Sequence, residues 1–268
     1  MDQPLLSVII PVYNAQGCLS LALESVFNQN IQDMEIILVN DGSKDDSLSL
    51  CRQYAARDGR IVVIDQQNAG PGAARNAALK VAKGRYISFV DSDDSLQPGA
   101  YRNMLDAIQE DDACMVIAHF NILMNNQVFD RGYIKQDVCL DLENFFRALA
   151  YRPGSYYYSA LWNKLYKRQI IQENQLMFDS ALSWGEDFKF NMAYYRHIKK
   201  VRFVKEPVYN YKRTYSGQTW RTMFELRSSF QIKSNLYRSL KSLYRHVGLF
   251  EKYRMYIYRY IFNITIST

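Results

Sequence analysis

A short apolar run that ends in a cluster of acidic residues most constrains what this chain can fold into. The segment Arg85–Val90 is rich in β-prone side chains and is followed directly by Asp91-Ser92-Asp93-Asp94. Three carboxylates at the tip of a buried strand repel one another unless a positive charge lies beside them. Mg²⁺ prefers oxygen ligands and typically takes one or two carboxylates together with substrate phosphates. The stretch therefore indicates a cation–diphosphate site, with a solvated turn that caps the next helix as the alternative.

Upstream of this segment, the hydrophobic periodicity predicts strands that alternate with helices. Three strands, each ahead of a helical pattern, are expected at Leu6–Val12, Met34–Val39 and Ile61–Ile64. This repeat predicts a parallel sheet with right-handed crossovers. Because ligands bind outside the carboxyl ends of parallel strands, we expect the polar residues after each strand to converge there: Tyr13, Asn14, Asp41, Asn68 and Asp91–Asp94.

The first strand–helix turn argues against a nicotinamide-binding Rossmann domain. Such a domain carries G-x-G-x-x-G at this turn, so that the backbone can approach the pyrophosphate closely. Here the turn runs from Tyr13 to Leu19 and holds one glycine, Gly17. A dinucleotide cofactor is therefore not expected.

Composition and charge describe a globular chain with a basic end. The 268 residues allow one large domain, or one domain with an appendage. Four widely spaced cysteines without a CxxC pair favour neither a disulfide framework nor a zinc site, so a reduced, cytoplasmic setting is expected. No apolar run approaches the ~20 residues of a membrane span. The net charge of +6 is concentrated in residues 196–268, which hold 16 Lys and Arg against 3 Asp and Glu.

Four motifs lie in order within residues 7–94: Ser7–Asn14, Val39–Ser43, Asn68–Asn76 and Phe89–Asp94. Together they resemble the nucleotide-sugar half of the family-2 glycosyltransferases. The resemblance implies an α/β GT-A fold, which is a Rossmann-like, mostly parallel sheet with helices on both faces. It also implies an inverting enzyme that moves a sugar from a nucleotide-diphosphate sugar, with UDP as the favoured nucleotide, onto an acceptor hydroxyl. Mn²⁺ or Mg²⁺ is the implied cofactor.

The donor site implied by the resemblance uses the strand ends and the helix that follows the third motif. Asp41 is expected to accept a hydrogen bond from the base or ribose, with an ordinary Asp-Gly turn as the alternative. Arg75, in the first turn of its helix, can bind phosphate or a metal-ligating aspartate. Asp93 is expected to coordinate the metal most directly, and Asp94 to cap a helix. The expected donor-binding residues are Pro11, Val12, Tyr13, Asn14, Asp41, Asn68, Arg75, Asp91 and Ser92, and the expected metal ligands are Asp93 and Asp91.

An acidic pair, Glu186 and Asp187, opens a helical pattern in the second half of the chain. A carboxylate in the first helical turn gains from the helix dipole, which favours the ionised form that a general base needs. The resemblance implies that Asp187 is the catalytic base and that Glu186 orients the acceptor, whereas plain helix capping is the alternative. The expected acceptor-binding residues are Trp184, just before the pair, and Trp162 and Lys164 from the family-like segment Leu161–Lys167.

Three further predictions concern the chain beyond the acidic pair. Val201–Val204 and Val208–Tyr211 are expected to be edge strands. The resemblance implies a basic residue that closes over the diphosphate, here Lys212 or Arg213. The segment 218–221 lacks the order of the Q-x-x-R-W signature of processive synthases, which favours transfer of a single sugar per encounter.

The expected division of the chain is 1–110 for nucleotide-sugar binding, 111–220 for acceptor binding and catalysis, and 221–268 for a basic amphipathic helical tail. Such a tail can lie peripherally on an anionic membrane, which would suit a lipid-linked or growing surface saccharide as acceptor, or it can pack on the enzyme. A nucleic-acid- or anion-binding protein without enzymatic activity is the rival class. It is disfavoured, and nucleic acid is not an expected partner, because a basic tail does not explain four polar clusters at one sheet edge.

Overall fold

The computed structural model describes residues 3–125, 127–182, 184–212 and 226–263. Within these residues the strands form one mixed sheet in the order β3-β2-β1-β4-β9-β6-β10-β5, with β7 paired to β6 and β8 paired to β10. The strands are β1 Leu6–Val12, β2 Met34–Asp41, β3 Ile61–Gln66, β4 Tyr86–Phe89, β5 Ser95–Leu96, β6 Met115–Met124, β7 Gln127–Arg131, β8 Val138–Asp141, β9 Lys164–Lys167 and β10 Lys200–Lys212.

Helices connect most of these strands. In the described part of the chain they are α1 Leu19–Phe27, α2 Ser47–Arg57, α3 Pro71–Val81, α4 Ala100–Glu110, α5 Leu142–Tyr151, α6 Tyr156–Ser159, α7 Arg168–Glu173, α8 Glu186–Tyr194, α9 Leu226–His246 and α10 Phe250–Asn263.

The N-terminal half confirms the predicted parallel sheet. β1 pairs in parallel with β2 and with β4, and β2 pairs in parallel with β3. Every residue of β2 is buried, so both faces of the sheet are covered there. This arrangement brings the carboxyl ends of β1, β2, β3 and β4 to one edge, where the polar residues of the four motifs follow.

The second half extends the same sheet. β9 is antiparallel to both β4 and β6 and joins the two halves into one surface. β10 runs parallel to β6, so its carboxyl end lies beside that of β6, at Ile122 and Leu123. Consequently Tyr211 and Lys212 lie at the sheet edge that carries the acidic cluster.

The expectation of two edge strands near the chain's end is wrong. Residues 200–212 form one strand, which lies between β6 and β5 and also pairs with β8. In the sequence, Glu206-Pro207 predicts the end of a strand, because proline has no backbone N–H to donate to a neighbouring strand. Register shifts on both sides of Pro207 absorb this step and let the strand continue.

The two C-terminal helices pack on the core. Leu236, Leu240 and Leu243 are buried, and the Tyr244 hydroxyl donates to the Phe146 carbonyl at 2.6 Å. Among the described helices, none is both long enough and apolar enough to cross a bilayer.

Candidate active site

Arg75 on α3 lies at the centre of the polar residues at this sheet edge. Its side chain is 5% exposed and binds three carboxylates: Nη2 lies 3.0 Å from Asp91, and Nη1 lies 3.0 Å from Glu186 and 2.9 Å from Asp187. Pro71 begins α3 and favours the backbone conformation of its first turn, and Arg75 lies just after that turn. The single guanidinium thus joins the acidic cluster after β4 to the acidic pair that opens α8.

The charges around Arg75 do not balance. Burial alone would lower the pKa of Arg75, but the charges of Asp187, Asp91 and Glu186 outweigh burial and raise its pKa. One guanidinium faces three carboxylates, so the cluster keeps a negative excess unless a carboxyl is protonated or another cation binds. Arg75 binds Asp91 of the acidic cluster at 3.0 Å, and its contact with a phosphate or with a metal-ligating aspartate stays a prediction.

Burial dominates the electrostatics of Asp187. It follows Glu186 in the first turn of α8, after Gly185, whose φ of 84° gives the chain a left-handed step into the helix. Removal from water raises the pKa of Asp187 to about 8, against the effect of Arg75 and with the help of Glu186 and Asp91. The raised pKa runs against our expectation that this carboxylate is kept ionised. A carboxyl with a pKa near neutrality is suited to exchange protons during catalysis.

The three aspartates after β4 differ in their surroundings. Asp91 accepts from Arg75, and its backbone N–H donates to the Tyr209 hydroxyl at 3.0 Å. Asp93 is exposed, yet partial desolvation and the charge of Asp91 raise its pKa. Asp94 is 2% exposed, and burial followed by the charges of Asp91 and Asp93 raises its pKa well above the ordinary value.

Asp94 does not cap a helix as expected. Its Oδ1 accepts the backbone N–H of Lys212 at 2.7 Å, and the Tyr209 hydroxyl interacts with the same carboxyl group. The N-cap of α4 is Gly99, which has no side chain to offer. The reason is topological, because β10 ends beside the cluster and supplies a backbone donor that the local sequence does not reveal.

This cluster fits a divalent cation. Its carboxyl groups crowd one another, and burial together with their mutual repulsion raises the pKa values of Asp93 and Asp94. Within the described ranges, no group of three His, Cys, Asp or Glu side chains forms a ready-made metal cage. That agrees with Mg²⁺-type sites, which use one or two carboxylates and leave the other positions to water and substrate phosphates. Asp93 and Asp91 are the residues that would hold the ion.

The loop after β1 offers an exposed aromatic ring. Tyr13 is 48% exposed, whereas Val12 is fully buried and can meet a ligand only through its backbone. Asn14 has a φ of 49° and is held by two hydrogen bonds with the loop after β2, to Ser43 and from Lys44. Pro11 precedes them at the end of β1 and is partly buried. Hydrogen bonds therefore join the loops after β1 and β2 into one surface.

Asp41 holds the loop that opens α3. Its carboxylate accepts from the backbone N–H groups of Ala69 and Gly70 at 2.9 and 2.8 Å, and from Gln66 at 2.7 Å. The Asn68 amide donates to the Asp41 carbonyl at 2.9 Å. An ionised carboxylate has about four acceptor sites, so these bonds leave capacity for a ligand donor. Asp41 thus shapes the loop that precedes Arg75.

Lys164 is not placed to bind an acceptor directly. It is fully buried, and its ammonium donates to the carbonyls of Tyr157 and Ala160 and to the Asn163 side chain. Burial lowers the pKa of Lys164 well below its ordinary value. Because all three of its donors are used inside the protein, it stabilises the segment around α6 and cannot reach a ligand without breaking these bonds.

The two tryptophans lie in different settings. Trp162 is 5% exposed and stacks on Tyr209, with ring centroids 4.6 Å apart and an interplanar angle of 9°. Trp184 is half-buried beside the first turn of α8, near Asp187. Ser92 is half-buried within the acidic cluster.

Lys212 ends β10 beside the acidic cluster, and its charge lowers the pKa of Asp93 against the larger upward effect of desolvation. Arg213, the other residue expected over the diphosphate, lies outside the described residues. Sequence reasoning missed Tyr209, which is 118 residues from the Asp91 amide that donates to it. No local motif marks it, so only the position of β10 reveals this contact.

Comparison with known proteins agrees with this geometry. The family model described as glycosyl transferase family 2 matches residues 7–174. The chain is 30% identical to the uncharacterized glycosyltransferase EpsJ of Bacillus subtilis over 210 residues, which cover 78% of this chain and 61% of EpsJ. It is 32% identical to EpsH of the same organism over 95% of this chain and 73% of EpsH.

Solved structures show the same fold. The Staphylococcus aureus protein TarS, in a crystal structure with UDP-GlcNAc, superimposes with a TM-score of 0.73 at 22% identity over 87% of this chain and 66% of that chain. In these matches the chain spans 61% of the length of EpsJ and 66% of the length of the TarS chain, which is less than two thirds of each. Since the family model covers more than half of the chain and EpsH matches almost all of it, the chain belongs to glycosyl transferase family 2.

Proposed function

We propose that the chain is an inverting glycosyltransferase that moves one sugar from a UDP-sugar to an acceptor hydroxyl. The observation that carries this proposal is the buried Arg75, which joins the acidic cluster at Asp91 to the acidic residue Asp187. A donor diphosphate held at the acidic cluster and an acceptor held at Asp187 would lie on either side of the Arg75 guanidinium. The UDP-GlcNAc complex of TarS supports UDP as the nucleotide, because TarS shares the fold.

In the proposed reaction, Asp187 accepts the proton of the acceptor hydroxyl as that oxygen attacks the anomeric carbon. The attack comes from the face opposite the diphosphate, so the anomeric configuration inverts. Glu186 shares the guanidinium of Arg75 with Asp187 and keeps the base oriented. Lys212 contributes a positive charge beside the diphosphate site. Mn²⁺ or Mg²⁺, when bound by Asp93 and Asp91, supplies charge stabilisation for the departing diphosphate.

The nucleotide is proposed to lie over the loops after β1 and β2, which are joined by hydrogen bonds. The exposed ring of Tyr13 offers a stacking surface for the base, and the backbone of Pro11 and Val12 offers polar groups at its edge. Asp41 and Asn68 hold the adjoining loop and have spare hydrogen-bonding capacity for the ribose. In this arrangement residues 1–110 bind the donor and residues 111–220 bind the acceptor.

A growing surface saccharide, lipid-linked or free, is the proposed acceptor class. Residues 221–268 are proposed to touch an anionic membrane peripherally, since the described faces of α9 and α10 expose Arg245, Lys252, Arg254 and Arg259. Sedimentation with phosphatidylglycerol vesicles tests this contact. We expect retention that falls with salt and with charge-neutral vesicles, because exposed charges are screened at high ionic strength.

A donor-hydrolysis screen tests the proposed activity. UDP- and GDP-sugars are incubated with the protein and Mn²⁺, and the released nucleotide and the first-formed anomer of the sugar are followed by NMR. We expect release from a UDP-sugar with inverted configuration. Release of a product with retained configuration, or no release from any sugar nucleotide, would contradict the proposal.

A further inference from the structure

A cleft of about 200 Å³ opens outside the site described above. It lies between the β6–β7 hairpin with the loop after it and the segment that contains α6. The residues that matter for its chemistry are Ile122, Arg131, Tyr133, Tyr156 and Tyr157.

The cleft lies on the same sheet edge as the acidic cluster. Ile122 in its wall pairs with Tyr211 of β10, and the next pair is Leu123 with Lys212. The Lys212 backbone in turn donates to Asp94 at 2.7 Å. One strand therefore separates the cleft from the proposed diphosphate site.

Stacked aromatic rings lie between the cleft and the acidic cluster. Tyr209, whose hydroxyl accepts from Asp91, stacks on Trp162, and Trp162 stacks on Tyr211 at 5.6 Å between centroids. Tyr211 lies 5.9 Å from Tyr156, which lines the cleft. Packed aromatic side chains therefore connect one wall of the cleft with one wall of the candidate active site.

The surface of the cleft combines aromatic rings with arginine side chains, and the carboxyl groups of Asp130 and Asp137 lie near Tyr157. Tyr133 and Tyr156 are 43% and 44% exposed. The guanidinium of Arg152 lies 4.2 Å from the centre of the Tyr133 ring, and Arg131 is exposed in the wall. Within the described part of the chain, neither arginine forms an ion pair. Exposed tyrosines suit stacking on sugar rings, and unpaired guanidinium groups suit carboxylates or phosphates.

We propose that this cleft binds an acidic unit of the acceptor, meaning a sugar or polyol that carries a carboxylate or a phosphate. The proposal rests on the proposed function, because the acceptor hydroxyl must reach Asp187 while an earlier unit of the same acceptor occupies the cleft. Arg131 and Arg152 bind the anion, and Tyr133, whose ring packs against the Arg152 guanidinium, holds that charge in place and offers its exposed edge to the sugar. An alternative is that the aromatic residues only hold the hairpin in place, which predicts effects on stability and none on binding.

Direct binding to the chain of 268 residues tests the proposal without nucleotide. The probes are a chondroitin tetrasaccharide, its carboxyl-reduced neutral form, a ribitol-phosphate oligomer and chitotetraose, each titrated by calorimetry. We expect one or both acidic probes to bind, and each neutral probe to bind at least about tenfold more weakly, since hydrogen bonds to charged groups discriminate by that order. The two acidic probes distinguish a carboxylate from a phosphate.

Two variants and two matched controls locate the site. Arg131→Gln and Tyr133→Ala should each weaken the acidic probe about tenfold. Arg102→Gln and Tyr151→Ala change an exposed arginine and an exposed tyrosine outside the cleft and should leave binding unchanged. Binding of no probe, equal binding of acidic and neutral probes, or equal effects of the cleft variants and their controls would overturn the proposal.

Failure of this inference is separable from failure of the proposed function. UDP-sugar hydrolysis with Mn²⁺ is measured on the same protein samples, and neither cleft variant should alter it. If hydrolysis occurs while the acidic probes do not bind, the cleft assignment is wrong and the donor site stands. If hydrolysis is absent while the acidic probes bind through Arg131, the cleft is a binding site and the proposed activity is wrong.

Discussion

The Arg75 guanidinium lies 2.9 Å from the Asp187 carboxylate, although 112 residues separate the two in sequence. The same guanidinium binds Asp91 at 3.0 Å on its other side. The relative positions of the acidic cluster and the proposed base therefore depend on one buried side chain. The predictions below follow from this arrangement.

Asp187→Asn should abolish transfer while leaving nucleotide binding nearly intact. A general base contributes about 10²–10⁴-fold to rate, and asparagine cannot accept the proton. The measurement is kcat for transfer together with the melting-temperature shift caused by UDP and Mn²⁺. Asp112→Asn, which removes an exposed carboxylate paired with Lys167, serves as the control. An active Asp187→Asn enzyme would remove Asp187 from its role.

Activity should depend on pH through Asp187. Because the pKa of Asp187 is raised to about 8, the deprotonated base becomes scarcer below that pH. We expect kcat/KM to fall as pH decreases below about 8 and to level off above it. A flat profile across this range would show that no group with this pKa limits the reaction.

Stability should show the opposite pH dependence. A carboxyl with a raised folded-state pKa binds its proton more tightly when folded, so the free energy of unfolding decreases as pH rises from about 4 to about 8. The pKa of Asp187 is raised to about 8, so Asp187→Asn should flatten this slope. Urea denaturation of both proteins across the range measures it. Parallel slopes would mean that Asp187 has an ordinary pKa in the folded protein.

Arg75→Met should strongly destabilise the protein near neutral pH. Removing one partner of a buried ion cluster costs about 3–5 kcal/mol, because the remaining charges stay buried without compensation. Three carboxylates depend on Arg75 here. Urea denaturation should show a loss of this order that shrinks as the carboxylates are protonated at low pH. Arg168→Met, which removes a hydrogen bond to the Gly84 carbonyl, is the control. An unchanged unfolding free energy would show that the cluster does not need the guanidinium.

Asp94 should act through Lys212 and not as a metal ligand. Asp94→Asn keeps an oxygen that can accept the Lys212 N–H, so we expect little change in Mn²⁺ affinity or in kcat. Asp94→Leu leaves that N–H unsatisfied, which costs about 1–3 kcal/mol of stability and should lower kcat. Titration with Mn²⁺ in the presence of UDP measures the affinity. A large loss of Mn²⁺ affinity in Asp94→Asn would make Asp94 a ligand.

The part of the fold that sequence could predict is the part built from local repeats. β1–β4 follow from apolar runs, and their parallel order follows from the helices between them. The convergence of Tyr13, Asp41 and the acidic cluster on one edge is a consequence of that order. The family resemblance supplied the pairing of the donor half with Glu186 and Asp187.

The remaining features depend on contacts between distant segments. Lys164 reads as a polar residue available to a ligand, but the turn at Tyr157–Asn163 surrounds its ammonium with acceptors. The role of Asp94 and the interior position of β10 both follow from pairing across more than 100 residues. Neither propensity nor spacing carries information about such pairings.

The proposed function depends most on Asp93, which would hold a divalent cation that stabilises the charge of the departing diphosphate. It is tested most directly by the melting temperature with UDP and Mn²⁺ together, compared for the wild-type chain, Asp93→Ala and the exposed-acid control Asp106→Ala. At ligand concentrations about 100-fold above Kd, linkage adds roughly 2.7 kcal/mol to stability. The account predicts a clear upward shift in the wild-type chain and in Asp106→Ala that is lost in Asp93→Ala. An equal shift in all three proteins, or no shift in any, would contradict it.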